Sequence, residues 1–223
     1  MQIKVNLKVF LFLTIFIITK QIKIYAILML FALVHELGHV IMGIILGFKI
    51  EAISIIPTGF TVKFKAECKN YNIQIKNGNL LSVKKILIAL AGPLVNIFIV
   101  IATLTYYKFT QSLYIVHIPT DLVIYSNILI FIFNLVPIYP LDGGRILKET
   151  VHIFKGIYRS YIVTNKISNI MVIILTILSS IFILAYKNIA ILIIIIYLWI
   201  LVINENKKFN TRMKIWKQID NKL

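Results

Sequence analysis

Six apolar runs, at roughly 7–19, 24–48, 86–107, 122–139, 167–186 and 189–203, constrain this chain more than any other feature of its sequence. About 20 apolar residues cross a bilayer core, and most of the runs approach that length. The first is short, and spans only if its flanking lysines snorkel to the interface. Soluble domains are roughly 45–50% apolar and about 25% charged; this chain is 60% hydrophobic and 14% charged over 223 residues. A core of this size cannot bury so much apolar surface, so lipid must solvate part of it. The expected fold is an all-α membrane protein with six transmembrane helices. It forms a single domain over 1–223, with a core to about 203 and an amphipathic tail over 204–223.

The basic residues supply the orientation. With six spans, 20 of the 24 Lys and Arg fall on the side shared by the N-terminus, the loops after spans 2 and 4, and the C-terminal tail. Only Lys20, Lys23, Lys108 and Lys187 fall opposite. This asymmetry predicts cytoplasmic termini and accounts for the net charge of +16 without a nucleic-acid partner. Thr19-Lys20-Gln21 is not a small-residue cleavage site, so the first run reads as a span and not as a signal peptide. The single cysteine, Cys68, excludes an intramolecular disulfide.

Between spans 2 and 3, residues 50–56 and 60–66 flank Pro57-Thr58-Gly59. Phe60 to Lys65 alternates apolar and polar residues as a half-exposed strand does, which predicts a short membrane-proximal β-hairpin. In the tail, Met213, Trp216, Ile219 and Leu223 recur three or four apart among lysines, the spacing of an interfacial amphipathic helix.

The second run holds His35-Glu36-Leu37-Gly38-His39, about 11 residues from its start. On a helix, positions i and i+4 share a face, so both imidazoles can hold one metal. This is the HExxH arrangement, in which the Glu is general base. An acidic group at a transmembrane helix centre costs about 2.5–3.5 kcal/mol, so passive packing is a poor account of three such groups. A catalytic zinc takes three protein ligands and leaves a position for water. Candidates for the third are Asp121, Asp142, Glu149, His117 and His152. Asp142 stands out, because Pro137 and Pro140 end the regular helix before it and Gly143 and Gly144 follow. Broken backbone at membrane depth belongs where protein buries it or a wet cavity meets it, and a carboxylate there can turn inward. In span 3, Gly92 and Pro93 are expected to serve helix packing. Asn96 lines the cavity or bonds to a neighbouring helix; the sequence leaves both open.

Taken together, HELGH at 35–39, AGPLVN at 91–96 and NLVPIYPLDGG at 134–144 resemble the site-2 protease family of membrane zinc metalloproteases, in order and spacing across roughly 24–150. Within it the sporulation branch is most similar, through SIIPTGFTVKF at 54–64 and NLVPIYPLDGGRIL at 134–147. The resemblance implies a Zn2+ cofactor, His35, His39 and Asp142 as its ligands, Glu36 as the catalytic carboxylate, and Asn134 and Pro140 as residues that place substrate. It further implies a membrane-associated precursor of the sporulation sigma-K factor (pro-sigma-K) as substrate, inhibitory membrane-protein partners, and the outer forespore membrane as location. Two departures stand out: about 20 residues of this sequence follow span 6 where the branch usually carries a cystathionine-β-synthase-type domain, and Thr58-Gly59 replaces a common Gly-Gly pair in the hairpin turn. The room between spans 2 and 3 is too short for a PDZ domain. Competing readings are another membrane-tethered regulator or a remnant signal peptide as substrate, and a non-catalytic metal-binding chaperone or transport subunit.

Overall fold

A computed structural model of the chain describes residues 2–5, 22–56, 59–65, 78–115, 118–186 and 189–220. It divides into two compact units, Met1–Asn134 and Leu135–Leu223. The first apolar run, the hairpin turn at Pro57-Thr58, Cys68 and His117 lie outside the described residues.

The first unit opens with strand β1 (Gln2–Val5), followed by helix α1 (Ile22–Ile45), strands β2 (Lys49–Ile56) and β3 (Gly59–Lys65), and helix α2 (Gly78–Thr110). A two-stranded ribbon of β4 (Tyr114–Ile115) and β5 (Ile118–Pro119) leads into helix α3 (Thr120–Leu135). The predicted hairpin is present, with Ile53 opposite Val62 and Ile55 opposite Phe60, and a register shift between Ile50 and Ala52. It belongs to a larger sheet than expected. β1 pairs in parallel with β2, Ile3 opposite Ile53, giving the order β1-β2-β3. A four-residue strand ahead of an apolar run carries too little periodicity to be read locally.

Helix α1 is inside-out relative to a soluble helix. Leu30, Leu33, Leu37, Ile41 and Ile44 are exposed along one face. The opposite face buries Tyr25, His35, Gly38, His39 and Gly43. The stripe facing outward is what lipid solvates, and the polar and small residues face protein. Helix α2 repeats the pattern, with Leu94, Phe98 and Ile101 outward and Ala89, Ala91, Asn96 and Val100 inward. The two helices meet at Gly38: a β-carbon there would stand 2.8 Å from Cγ2 of Val95 and 2.9 Å from the carbonyl oxygen of Ala91. α1 ends on Gly47 with φ of 83°, and the amide of Phe48 reaches back to the carbonyl of Gly43 at 2.9 Å, a glycine-terminated helix cap. Lys84 of α2 donates to the last-turn carbonyl of Leu46 at 3.2 Å, placing a cation at the negative end of the helix dipole.

The second unit begins with the broken segment 136–141, then helix α4 (Asp142–Tyr186) and helix α5 (Ile189–Asp220). Ile138 is fully buried with Val172 and Val202, and Val136 and Leu141 pack on that cluster. The amide of Tyr139 donates to Oγ of Ser168 at 2.9 Å, which replaces a helical partner lost to the prolines. The glycines after Asp142 are steric necessities. A β-carbon at Gly143 would lie 2.1 Å from the Leu135 carbonyl oxygen, and one at Gly144 would lie 2.3 Å from the Tyr139 nitrogen.

α4 contains a residue with non-helical backbone, Gly156 (φ 78°, ψ 169°), so the helix that starts at Asp142 turns there into the fifth apolar run. The helix expected in the tail is present to Asp220 and is continuous with the sixth apolar run, both lying on α5. Its Trp216 stacks on Tyr158 at 4.9 Å. Among the described residues three helices are long and apolar enough to cross a membrane, Ile22–Ile45, Asn79–Thr110 and Asp142–Ile181, and Thr120–Leu135 is a shorter apolar helix.

Gly38→Ile places a branched side chain into the backbone of α2. Overpacking of this kind costs about 1–3 kcal/mol, so thermal unfolding in detergent is expected at a clearly lower temperature. Gly47→Ala, which meets open space, is expected to show the smaller loss of a strained cap.

Candidate metal centre

His35 and His39 lie one turn apart on the inward face of α1, 4% and 2% exposed. Each ring is held from behind. Pro93 cannot donate to the carbonyl of Ala89 and loosens that turn of α2; one residue earlier, the Ile88 carbonyl accepts from Nδ1 of His39 at 2.6 Å. Nδ1 of His35 bonds to Oδ1 of Asn96. Both partners are oxygen acceptors, so both Nδ1 atoms carry the proton, and each neutral ring presents an Nε2 lone pair.

The two Nε2 atoms converge at 3.1 Å, with the rings edge to face. Two nitrogens bound tetrahedrally to zinc at about 2.0–2.1 Å stand about 3.3 Å apart, so the pair matches two ligands on one ion. Metal-bound histidines characteristically donate their second ring nitrogen to an oxygen acceptor, and both rings here do so. Gly92 makes the space. A β-carbon on it would fall 2.5 Å from Nε2 of His39 and 2.6 Å from Nε2 of His35. Gly92, expected to serve helix packing, does so at a particular place: it keeps the converging Nε2 edges of both imidazoles clear.

Glu36 has a side chain 13% exposed, with Oε2 3.9 Å from Nε2 of His39. It stands beside the imidazole pair without replacing either ring. In the second unit, Asp142 is 4% exposed at the first position of α4, where the helix dipole favours a carboxylate. Its Oδ1 lies 3.5 Å from Nη1 of Arg145. Of the other candidates for a third ligand, Asp121 is exposed, and Glu149 and His152 face each other at 3.7 Å. Asn134 donates to the carbonyl of Ile130 on its own helix at 3.0 Å. Pro140 is half-buried and follows a cis peptide bond from Tyr139.

Asn127 is a residue the sequence reading passed over. It is fully buried, and its Oδ1 accepts from Nδ2 of Asn96 at 2.8 Å. Its signal was an amide inside an apolar run, where polar groups must find partners within the protein. For Asn96 the bond to neighbouring helices is what is seen: one end of its amide meets His35 on α1 and the other Asn127 on α3.

Paired imidazoles, with a carboxylate one residue after the first, are thus built into helices of membrane-spanning length. The model of Peptidase family M50 matches residues 23–122 and 110–178, and the chain belongs to that family. It is 29% identical over 132 residues to stage IV sporulation protein FB of Bacillus subtilis, covering 59% of this chain and 41% of that one. It is 30% identical over 129 residues to a zinc metalloprotease of Methanocaldococcus jannaschii, covering 56% of this chain and 33% of that one. The chain thus spans less than half the length of the curated relatives it matches. In fold it is similar to the site-2 protease from Methanocaldococcus jannaschii, with a TM-score of 0.66 at 24% identity, covering 91% of this chain and 89% of that one.

Gly92→Ala is expected to weaken zinc binding on the order of 10–100-fold, the scale of losing a metal's supporting contacts. Competition with a chromophoric chelator measures it. Gly47→Ala, remote from the imidazoles, is the control that leaves the affinity unchanged.

Proposed function

We propose that this chain is an intramembrane endopeptidase that cuts a membrane-associated protein near its membrane segment. In this reading His35, His39 and Asp142 would hold zinc, the set implied by the HELGH and PLDGG motifs, and Glu36 is the general base. The observation that carries the reading is the convergence of the two Nε2 atoms at 3.1 Å with both Nδ1 protons committed to oxygen acceptors. Two neutral imidazoles and one carboxylate are a donor set that catalytic zinc takes, with a fourth position left for water.

When bound, zinc supplies Lewis acidity to that water and to the scissile carbonyl. Glu36 accepts the proton as the water oxygen attacks the carbonyl carbon, and returns it to the nitrogen as the C–N bond breaks. Asn134 and Pro140, flanking the helix break, are the residues we assign to placing substrate. A helical substrate hides its peptide bonds, so it must unwind before attack. Among the described residues β3 pairs on one side only, and an unwound segment can add to its other edge.

The six-span layout with both termini in the cytoplasm follows the distribution of Lys and Arg. A motif about 11 residues into the second span lies roughly 16 Å along the helix axis at about 1.5 Å per residue, which favours water entry from the cytoplasm. For the substrate we propose a membrane-associated transcription-factor precursor. Pro-sigma-K in the outer forespore membrane is the first to test, with membrane-protein partners holding the protease inactive. The similarity to stage IV sporulation protein FB supports that choice.

Glu36→Gln keeps the shape and both imidazoles. Co-expressed with pro-sigma-K, it is expected to retain zinc and to lose cleavage by at least about 10²–10⁴-fold, the range of general acid–base catalysis. Undiminished cleavage excludes Glu36 as the base. If the parent leaves pro-sigma-K intact but cuts another tethered substrate, the activity stands and the substrate does not.

Thr61→Pro removes a backbone donor from β3. It is expected to raise KM severalfold with kcat little changed; unaltered kinetics would remove strand addition from the mechanism.

A further inference from the structure

Asn96 and Asn127 are both fully buried, and peptide hydrolysis as described assigns Asn127 no role. Their hydrogen bonds form a chain with a direction. The carbonyl of Val123, on α3, can only accept, and Nδ2 of Asn127 donates to it at 2.8 Å. That contact sets which way the amide of Asn127 faces. Its Oδ1 must point the other way, where it accepts from Nδ2 of Asn96 at 2.8 Å. Asn96 is then set as well, so the atom it turns to Nδ1 of His35 is Oδ1, an acceptor. The His35 proton is consequently on Nδ1, and the lone pair is on Nε2.

Reversal shows what the chain prevents. If the Asn96 amide turned over, its NH2 group would face Nδ1 of His35. Nδ1 would have to accept, and the ring proton would move to Nε2, the atom that converges with Nε2 of His39. A protonated nitrogen cannot ligate a metal. One backbone carbonyl on α3 thus sets, through two side-chain amides on α3 and α2, the tautomer of a histidine on α1. His39 needs no such relay, because its Nδ1 acceptor is a backbone carbonyl that cannot reverse.

We infer that Asn127 and Asn96 are positioning residues that lock His35 in its metal-ligating tautomer, with the polarity of the lock set by the Val123 carbonyl. The inference rests on the reading of His35 as a zinc ligand. A purely structural role, in which two amides tie three helices together, makes different predictions for the same variants. It makes any change at Asn127 a matter of stability, and it makes a carboxylate at position 96 harmful in every background.

The test is the zinc affinity of the full chain in detergent, by competition with a chelator, with the visible spectrum of the Co2+-loaded protein as a second readout. Asn127→Leu leaves the Asn96 amide able to turn over, and is expected to weaken zinc about 10–100-fold. Asn127→Asp still offers an oxygen to Nδ2 of Asn96, whether ionised or protonated, and is expected to stay within roughly threefold of the parent. Adding Asn96→Asp to Asn127→Leu replaces the reversible amide with a group that presents oxygen either way round. Affinity is expected to return to within roughly threefold of the parent, with the Co2+ spectrum restored.

Parental affinity in Asn127→Leu would overturn the relay, and so would a double variant no tighter than Asn127→Leu alone. If Asn127→Leu does not fold, Asn127→Asp decides: a large loss of affinity in that well-folded variant rejects the relay. His35→Ala separates the two levels of the argument. If it binds zinc as the parent does, the ligand reading itself fails. If it loses zinc while the Asn127 variants keep it, only the relay fails.

Discussion

Inside a bilayer no water is available to satisfy a polar atom, so every imidazole, amide and carboxylate placed there must find its partner within the protein. The centre of this molecule follows from that constraint. His35 and His39 are each given an oxygen acceptor on Nδ1, one from the side chain of Asn96 and one from the backbone of Ile88. Satisfying one edge of each ring defines the other edge, so the two Nε2 atoms present lone pairs toward each other at 3.1 Å. The pairing that makes the histidines tolerable in the membrane also turns both Nε2 atoms to one place.

The packing around the pair serves the same end. α1 and α2 place their branched apolar residues outward and their small and polar residues inward. Between helices in lipid, close backbone approach and hydrogen bonding replace the hydrophobic effect as the source of association. Gly38 lets the backbone of α2 come near at Ala91, and Gly92 leaves room for the imidazole edges. The two glycines act in opposite directions across one interface, each being absent bulk that the other helix uses. In the second unit Gly143 and Gly144 do the same for the loop that delivers Asp142 to the start of α4.

Much of this was legible in the residues. The HELGH motif located the imidazole pair because helical geometry forces i and i+4 onto one face. The apolar runs located three helices of spanning length and a shorter apolar one. The Pro and Gly content of 136–144 located a helix break, because proline and glycine act locally. The pairing of β1 with β2 was not legible, since it joins strands far apart in sequence. The direct path of α5 into the tail was also missed, because a change in composition at the membrane surface need not be a change in backbone. Gly92 was read as packing for a similar reason: a glycine reports missing bulk, not what occupies the space.

The sequence by itself determined that the chain is a membrane protein, that it carries a paired-histidine and glutamate motif on one helix face, and that a carboxylate follows a broken helix. Those are consequences of local geometry and composition, which need no knowledge of neighbours. Only the tertiary structure decided which nitrogen of each histidine is protonated, that Gly92 faces both rings, and that Asn127 stands behind Asn96. Each of these depends on which atom of another helix lies within hydrogen-bonding or van der Waals distance. Such distances are set by packing between segments 31 to 61 residues apart in the chain, beyond the reach of any local pattern.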